Sequence, residues 1–243
     1  MLEIVGDSHV IALSDAARLA GAKNSFASRH GPIRIGQLGH GYHFLKPFFA
    51  CDGESVSFTQ DAAKSVFRRL NPDAPHVIQR DDPRRFVFVF GLYPSSGFNA
   101  EHWTDHTAAI WSEDRQFVSK SAFDAIIDET LKESMAFFRQ LKMMNVRFSV
   151  ASCCPVPASY QKLAGKKNFA AHEVAFIYNR FRDRAASRLD ALGVSCHLPP
   201  AEVYDAHGAM VDAFVKRPGD YHANPDYGRL MLSKILREVD RLH

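Results

Sequence analysis

Phe86-Val87-Phe88-Val89-Phe90 forms an uninterrupted apolar run between Arg84-Arg85 and Gly91. A strand facing water on one side alternates polar and apolar residues, whereas a run with no polar position has both faces buried and needs helices above and below it. The remaining sequence supplies them. Leu2 to Val5 is a short, partly β-branched run that ends in Gly6-Asp7-Ser8-His9, after which Val10, Leu13, Ala16, Ala17 and Ala20 recur at helical spacing up to Gly21. That pattern predicts a strand, a tight turn and a helix. One long helix is expected between Ser121 and about Met144, with Phe123, Ile126, Ile127, Thr130, Ser134, Phe138 and Leu141 on one face, feeding a strand at Val146 to Ala151. A helix from about Ala171 to Leu192 leads through Gly193 to a strand at Val194 to Leu198, and a last helix runs from about Asn224 to Leu242.

Repeated strand, helix, strand order without hairpin signals predicts an α/β protein with a parallel sheet wrapped by helices on both faces. With 243 residues the chain suits a single domain spanning 1–243. Ligands bind such sheets at the carboxyl ends of the strands. The turn at Gly6 to His9, the loop after Gly91 and the loop after Ala151 are therefore expected on one rim. Stretches 22–58 and 92–120 read as irregular insertions, long enough to shape a pocket or lid.

Composition removes several classes of function. Hydrophobic residues at 46% and charged residues at 23% are those of a folded chain. The formal charge is only +3 and the basic residues are scattered, which gives no case for nucleic acid. No run of about 18 apolar residues suggests a membrane span, and no basic segment followed by an apolar stretch opens the chain, so a cytoplasmic location is expected. Cys51, Cys153, Cys154 and Cys196 fit neither a zinc site nor a secreted disulfide framework, and buried thiols at strand ends are expected.

Ser8 stands where a buried strand turns into a helix, so its hydroxyl projects at the rim beside helix N-terminal amides able to bind an oxyanion. A plain structural reading is available too, since Asp7 or Ser8 makes a good helix cap. At the other end of the chain, Gly219-Asp220-Tyr221-His222-Ala223-Asn224-Pro225 leads an acidic, histidine-bearing loop into the terminal helix. Serine becomes an effective nucleophile when a histidine, with a carboxylate behind it, takes its proton.

Gly6-Asp7-Ser8-His9 after strand one, together with Asp220-Tyr221-His222 and the following Ala223 to Gly228 before the last helix, resembles the first and last blocks of the SGNH or GDSL hydrolase superfamily. The resemblance implies a flavodoxin-like three-layer α/β/α fold and ester hydrolysis, with Ser8 as nucleophile, His222 as base and Asp220 as its orienting acid. It implies an oxyanion site built from the Ser8 amide and one of Gly36, Gly39 or Gly41. The expected substrate is a small-molecule or glycan ester, such as an O-acyl group on a sugar or other small polar molecule, with no cofactor and no metal.

Three features depart from the family pattern. The family's carboxylate precedes the histidine by three residues, whereas Gly219 holds that position here and Asp220 stands two before His222. A bulge at Gly219 would compensate, a Ser and His dyad would dispense with the acid, and Asp205 or Asp212 are alternative acids. Gly91-Leu92-Tyr93-Pro94 occupies the place of the family's Gly-x-Asn-Asp, leaving Asn99 as a substitute donor if its loop folds back. The glycine block after strand two holds three glycines, and sequence does not choose among them.

Other readings compete. Asp7-Ser8-His9 also resembles the opening Asp-x-His of calcineurin-like metallophosphoesterases, and Gly39 to His43 their histidine block, but the order is wrong and the intervening metal segments are missing. His9 with His40 and His43, or His102 with His106, lack carboxylate or thiolate neighbours at a diagnostic spacing. A binding or accessory domain that keeps the fold and has lost the chemistry is the non-enzymatic alternative. Nucleotide binding is disfavoured by the absence of both glycine-rich phosphate fingerprints from the first turn.

Overall fold

A computed structural model of the chain describes residues 1–21, 32–72, 75–92, 103, 105–108, 114–160 and 171–241. In chain order these form β1 (Leu2–Gly6), α1 (Val10–Gly21), β2 (Ile33–Gln37), β3 (Phe49–Cys51), β4 (Ser55–Phe58), α2 (Asp61–Leu70), β5 (Ile78–Gln79), β6 (Arg85–Val89), β7 (His106–Thr107), β8 (Gln116–Phe117), α3 (Lys120–Thr130), α4 (Lys132–Met143), β9 (Arg147–Ala151), α5 (Ala171–Ala191), β10 (Cys196–His197) and α6 (Pro225–Arg241). The main sheet runs in the order β10-β9-β6-β1-β2 with every pairing parallel. From β1 the chain steps outward to β2 on one side and returns to β6 on the other, so strand order reverses at β1. Crevices form at the carboxyl ends of the strands at such a reversal, and the Asp7-Ser8-His9 turn leaves β1 there.

Both faces of the sheet are covered, as the apolar run at 86–90 requires. Phe86, Phe88 and Val150 face a core shared with Phe67 of α2, Phe123 of α3, Phe137 and Phe138 of α4 and Phe181 of α5. Val87 and Val89 point the other way and join Leu2 and Ile4 of β1 with Leu13 of α1 and Met231, Leu232 and Ile235 of α6. Alternate residues of one strand thus serve two cores, giving a three-layer α/β/α architecture. Helix α6 lies directly on α1. At Gly228 an added Cβ would stand 2.0 Å from the Ala12 carbonyl oxygen, so only glycine permits this approach.

Several sequence expectations are corrected. The helix expected from Ser121 to about Met144 is broken at Leu131 into α3 and α4. Thr130 Oγ1 donates to the Ile126 carbonyl at 2.7 Å, a side-chain bond that bends helices at their ends, while the apolar period continues through Leu131, Met135 and Phe138. The stretch 22–58 that reads as irregular carries β2, β3, β4 and a 3-10 turn at Gly41–Leu45. Cys153 and Cys154 are buried, but Cys51 is exposed. Among the described residues no helix is long and apolar enough to cross a membrane.

Candidate active site

Gly6 ends β1 where an added Cβ would meet the Val89 carbonyl oxygen at 2.5 Å, so the strand passes β6 at backbone distance. The next residue turns the chain. The Asp7 N–H donates to Val89 O at 3.2 Å, while its carboxylate Oδ1 accepts the His9 N–H at 2.9 Å, and Val10 N–H donates back to Asp7 O at 3.1 Å. Asp7 therefore does the turn-making, which frees the Ser8 hydroxyl. Its other carboxylate oxygen, Oδ2, is buried with no hydrogen-bond partner among the described residues. Burial pushes the Asp7 carboxyl up to about 7, against the pull of the His9 N–H.

His222 arrives from the far end of the chain on the loop before α6. Ser8 Oγ lies 2.9 Å from His222 Nε2, and His222 Nδ1 lies 2.8 Å from Asp220 Oδ1. The same Asp220 oxygen accepts the His222 backbone N–H at 2.9 Å. Gly219 has φ +78°, in the left-handed region, and the Asp220 N–H donates to Arg217 O at 3.0 Å. This tight turn brings the acid to the ring across an interval of two residues. Burial raises the Asp220 carboxyl, but its bonds to the His222 backbone and ring, and to Arg217 Nε at 3.1 Å, outweigh that and hold it below the usual range.

The loop is fixed beyond His222 as well. Lys216 N–H donates to His222 O at 2.9 Å. Asn224 Oδ1 accepts from Asp226 N at 3.0 Å and Tyr227 N at 3.2 Å, capping α6 ahead of Pro225, and Asn224 Nδ2 donates to Ala213 O at 2.7 Å. Behind His222, the buried His9 ring sits at a centroid distance of 5.0 Å and the Tyr221 ring at 4.2 Å. Burial, reinforced by His222, lowers His9 to about 3, so it is a neutral wall at working pH. Arg217 is a supporting residue that the sequence does not single out, and His9 and Asn224, though part of the two end motifs, carry supporting roles that the sequence does not assign them. Asn224 beside Pro225 was the available signal for the helix cap.

The glycines of the second block fall in different places. Gly36 lies inside β2 opposite Val5, with Leu70 and Val66 packed over it. Gly39 and Gly41 lie beyond the strand, in the segment that starts where Leu38 N–H donates to Gly6 O at 2.7 Å. Among the described residues the backbone N–H groups of Ser8, Gly39 and Gly41 meet no acceptor. Gly41 lines a narrow cavity together with Asp7 and Gly91. Asn99, Tyr93 and His102 lie outside the described residues. Asp205, the alternative acid, uses its carboxylate within its own turn, accepting from His207 N and Ala209 N. Asp212 lies in a 3-10 turn over Asp212–Phe214. Among the described residues no three His, Cys, Asp or Glu side chains converge so as to hold a metal ion.

Burial lifts the Cys154 thiol to about 12 and also pushes the Cys153 thiol well above its ordinary value, so both stay protonated beside the site. Ser8 and His222 themselves line a shallow depression of about 20 Å³ with Ala12, Asp15 and Asn224. A serine hydroxyl, an imidazole and a carboxylate in this sequence of contacts have the groups that acyl transfer needs.

No family model and no curated protein matches the chain. Among solved structures, the chain is similar to a candidate acylhydrolase from Bacteroides fragilis, with a TM-score of 0.52 at 10% identity over 99% of this chain and 86% of that one. It is also similar to a GDSL-like lipase from Bacteroides thetaiotaomicron, with a TM-score of 0.52 at 9% identity over 100% of this chain and 88% of that one. The fold is that of the SGNH or GDSL hydrolases, the superfamily that the two end blocks resemble.

Proposed function

We propose that this protein is a serine esterase that removes an O-acyl group from a carbohydrate or other small polar molecule, using Ser8, His222 and Asp220. The observation that carries this reading is the contact chain Ser8 Oγ to His222 Nε2 at 2.9 Å and His222 Nδ1 to Asp220 Oδ1 at 2.8 Å. A carboxylate at Nδ1 keeps the proton on that nitrogen and leaves Nε2 free to accept. Ser8 Oγ attacks the acyl carbon while His222 Nε2 takes its proton, giving a tetrahedral intermediate. His222 then returns the proton to the leaving alkoxide as the carbon–oxygen bond breaks, producing the alcohol and an acyl-serine. Water, deprotonated by His222, attacks the acyl-serine and releases the carboxylic acid, and Ser8 recovers its proton.

The developing oxyanion needs donors that are not already engaged. Among the described residues, the Ser8 N–H and that of Gly39 or Gly41 meet this requirement. The small depression of about 20 Å³ around Ser8 and His222 supports a short acyl group in preference to a long lipid chain, and Asp15, Lys216 and Asn224 on its lining support a polar alcohol. Hydrolysis of p-nitrophenyl acetate by the purified protein tests the proposal. Wild type is expected to exceed Ser8→Ala by at least about 10³-fold in kcat/KM; equal rates would overturn it.

A further inference from the structure

A cavity separate from Ser8 lies at the opposite, amino edge of the sheet. It is a cleft of about 370 Å³ whose lining includes Arg85, Arg147, Lys142, Asn145 and Ser149, with no acidic residue among its lining groups. Arg85 and Arg147 are direct register partners on the adjacent parallel strands β6 and β9. Paired strand positions project to the same face, so two guanidinium groups are held side by side, an arrangement that is unfavourable unless something offsets it. Burial, and then the charge of Arg147, pull Arg85 below its ordinary value, with Asp240 opposing.

Neighbouring acids leave most of this charge in place. Arg84, Arg115, Arg180 and Arg184 each meet a carboxylate. Arg147, by contrast, donates to the Pro83 carbonyl and Lys142 Nζ to the Gly193 carbonyl, and neither pairs with a carboxylate among the described residues. Asp240 of α6 faces Arg85. Glu238, the other acid on that stretch of α6, is bound to His197 Nδ1 at 2.6 Å and lies 3.7 Å from Lys234. His197 Nε2 in turn holds Ser149 Oγ at 2.8 Å, which fixes the floor of the cleft. Asp81, beyond the rim, accepts from Asn145 Nδ2 at 2.6 Å. Arg147 and Lys142, which meet no carboxylate among the described residues, bring two positive charges to the cleft, which a phosphate dianion matches and a monocarboxylate does not. Planar guanidinium forks fit phosphate oxygens in pairs, and the volume suits a small molecule.

We propose that this cleft binds the phosphate group of a small molecule, at a site separate from Ser8. Arg147 and Lys142 are exposed, so Arg147→Gln/Lys142→Gln is expected to fold. Thermal unfolding in inorganic phosphate, against chloride and acetate at matched ionic strength, tests the site. Phosphate is expected to raise the Tm of wild type by about 2–4 °C beyond chloride, as a ligand specific to the folded state does, and the double variant is expected to lose that increment. A phosphate effect equal in both proteins, no effect beyond chloride, or acetate acting as strongly as phosphate would overturn the proposal.

Discussion

His222 Nε2 stands 2.9 Å from Ser8 Oγ, although 214 residues separate them in the chain. The contact is made by the packing of α6 on α1, because each helix begins within three residues of one partner. If the two side chains act as base and nucleophile, removing either removes the same chemistry. Ser8→Ala and His222→Gln are each expected to cut ester kcat/KM by at least about 10³-fold, and the double variant by little more than either alone. Multiplicative losses in the double variant would show that the residues work independently.

Asp220 accepts both the backbone N–H and the ring N–H of His222. Asp220→Asn is expected to lower kcat by about 10²–10⁴-fold, since an amide donor at Nδ1 favours the wrong tautomer. Arg217 touches the other carboxylate oxygen from an exposed position, where ion pairs contribute little. Arg217→Gln is expected to change kcat less than about threefold. Steady-state kinetics on one ester compares the two, and a larger loss in Arg217→Gln would reverse this assignment.

Asp7 and His9 give opposing contributions to stability with pH. In the unfolded chain Asp titrates near 4 and His near 6.5. The folded-state value of about 7 for Asp7 means that the native protein keeps a proton that the unfolded chain releases, so this contribution is full below pH 4 and is lost as pH rises to about 7. His9, lowered to about 3, refuses a proton that the unfolded chain takes up, so its contribution is full above pH 6.5 and is lost as pH falls toward 3. Between pH 4 and 6.5 each slope is about 1.4 kcal/mol per pH unit with opposite sign. Asp7→Asn is expected to lose stability more steeply than wild type on acidification, and His9→Gln to gain it. Urea unfolding at pH 4.5, 5.5 and 6.5 reads both slopes; profiles parallel to wild type would refute them.

Gly228 lets α6 approach α1 at backbone distance. Gly228→Ala is expected to destabilise the fold by about 2 kcal/mol or more, because the helices must separate to admit the methyl group. Esterase activity should fall together with stability, since the same helices carry Ser8 and His222 toward each other. A urea midpoint within error of wild type would contradict this view of the interface.

The parts of the fold legible in the sequence are those with long or unmixed patterns. The apolar run at 86–90 requires two covered faces, and Phe88 and Val89 do enter separate cores. The break at Leu131 is invisible to periodicity because the apolar spacing continues across it, with the Thr130 hydroxyl bonded to the Ile126 carbonyl beside it. β2 is missed because Ile33-Arg34-Ile35-Gly36-Gln37 is short and three of its residues, Arg34, Gly36 and Gln37, also read as turn or surface types. At the site, Ser8 and His222 are visible as end motifs. The reach of Asp220 is open to sequence only as one alternative among several, since it depends on the backbone angle of Gly219. The Gly39 and Gly41 N–H groups, which meet no acceptor among the described residues, and the neutral His9 wall depend on contacts between distant segments.

The most direct test of the proposed chemistry is covalent capture of Ser8. A fluorophosphonate reacts with a serine whose proton is taken by a neighbouring base, forming a phosphonyl-serine and releasing fluoride. Intact-mass and peptide mass spectrometry of wild type, Ser8→Ala and His222→Gln after treatment locate the adduct. One adduct per chain on the Ser8 peptide, absent from Ser8→Ala and strongly slowed in His222→Gln, is the expected result. An unmodified Ser8 in folded wild-type protein, or labelling that proceeds equally without His222, would contradict the assignment of Ser8 as an activated nucleophile.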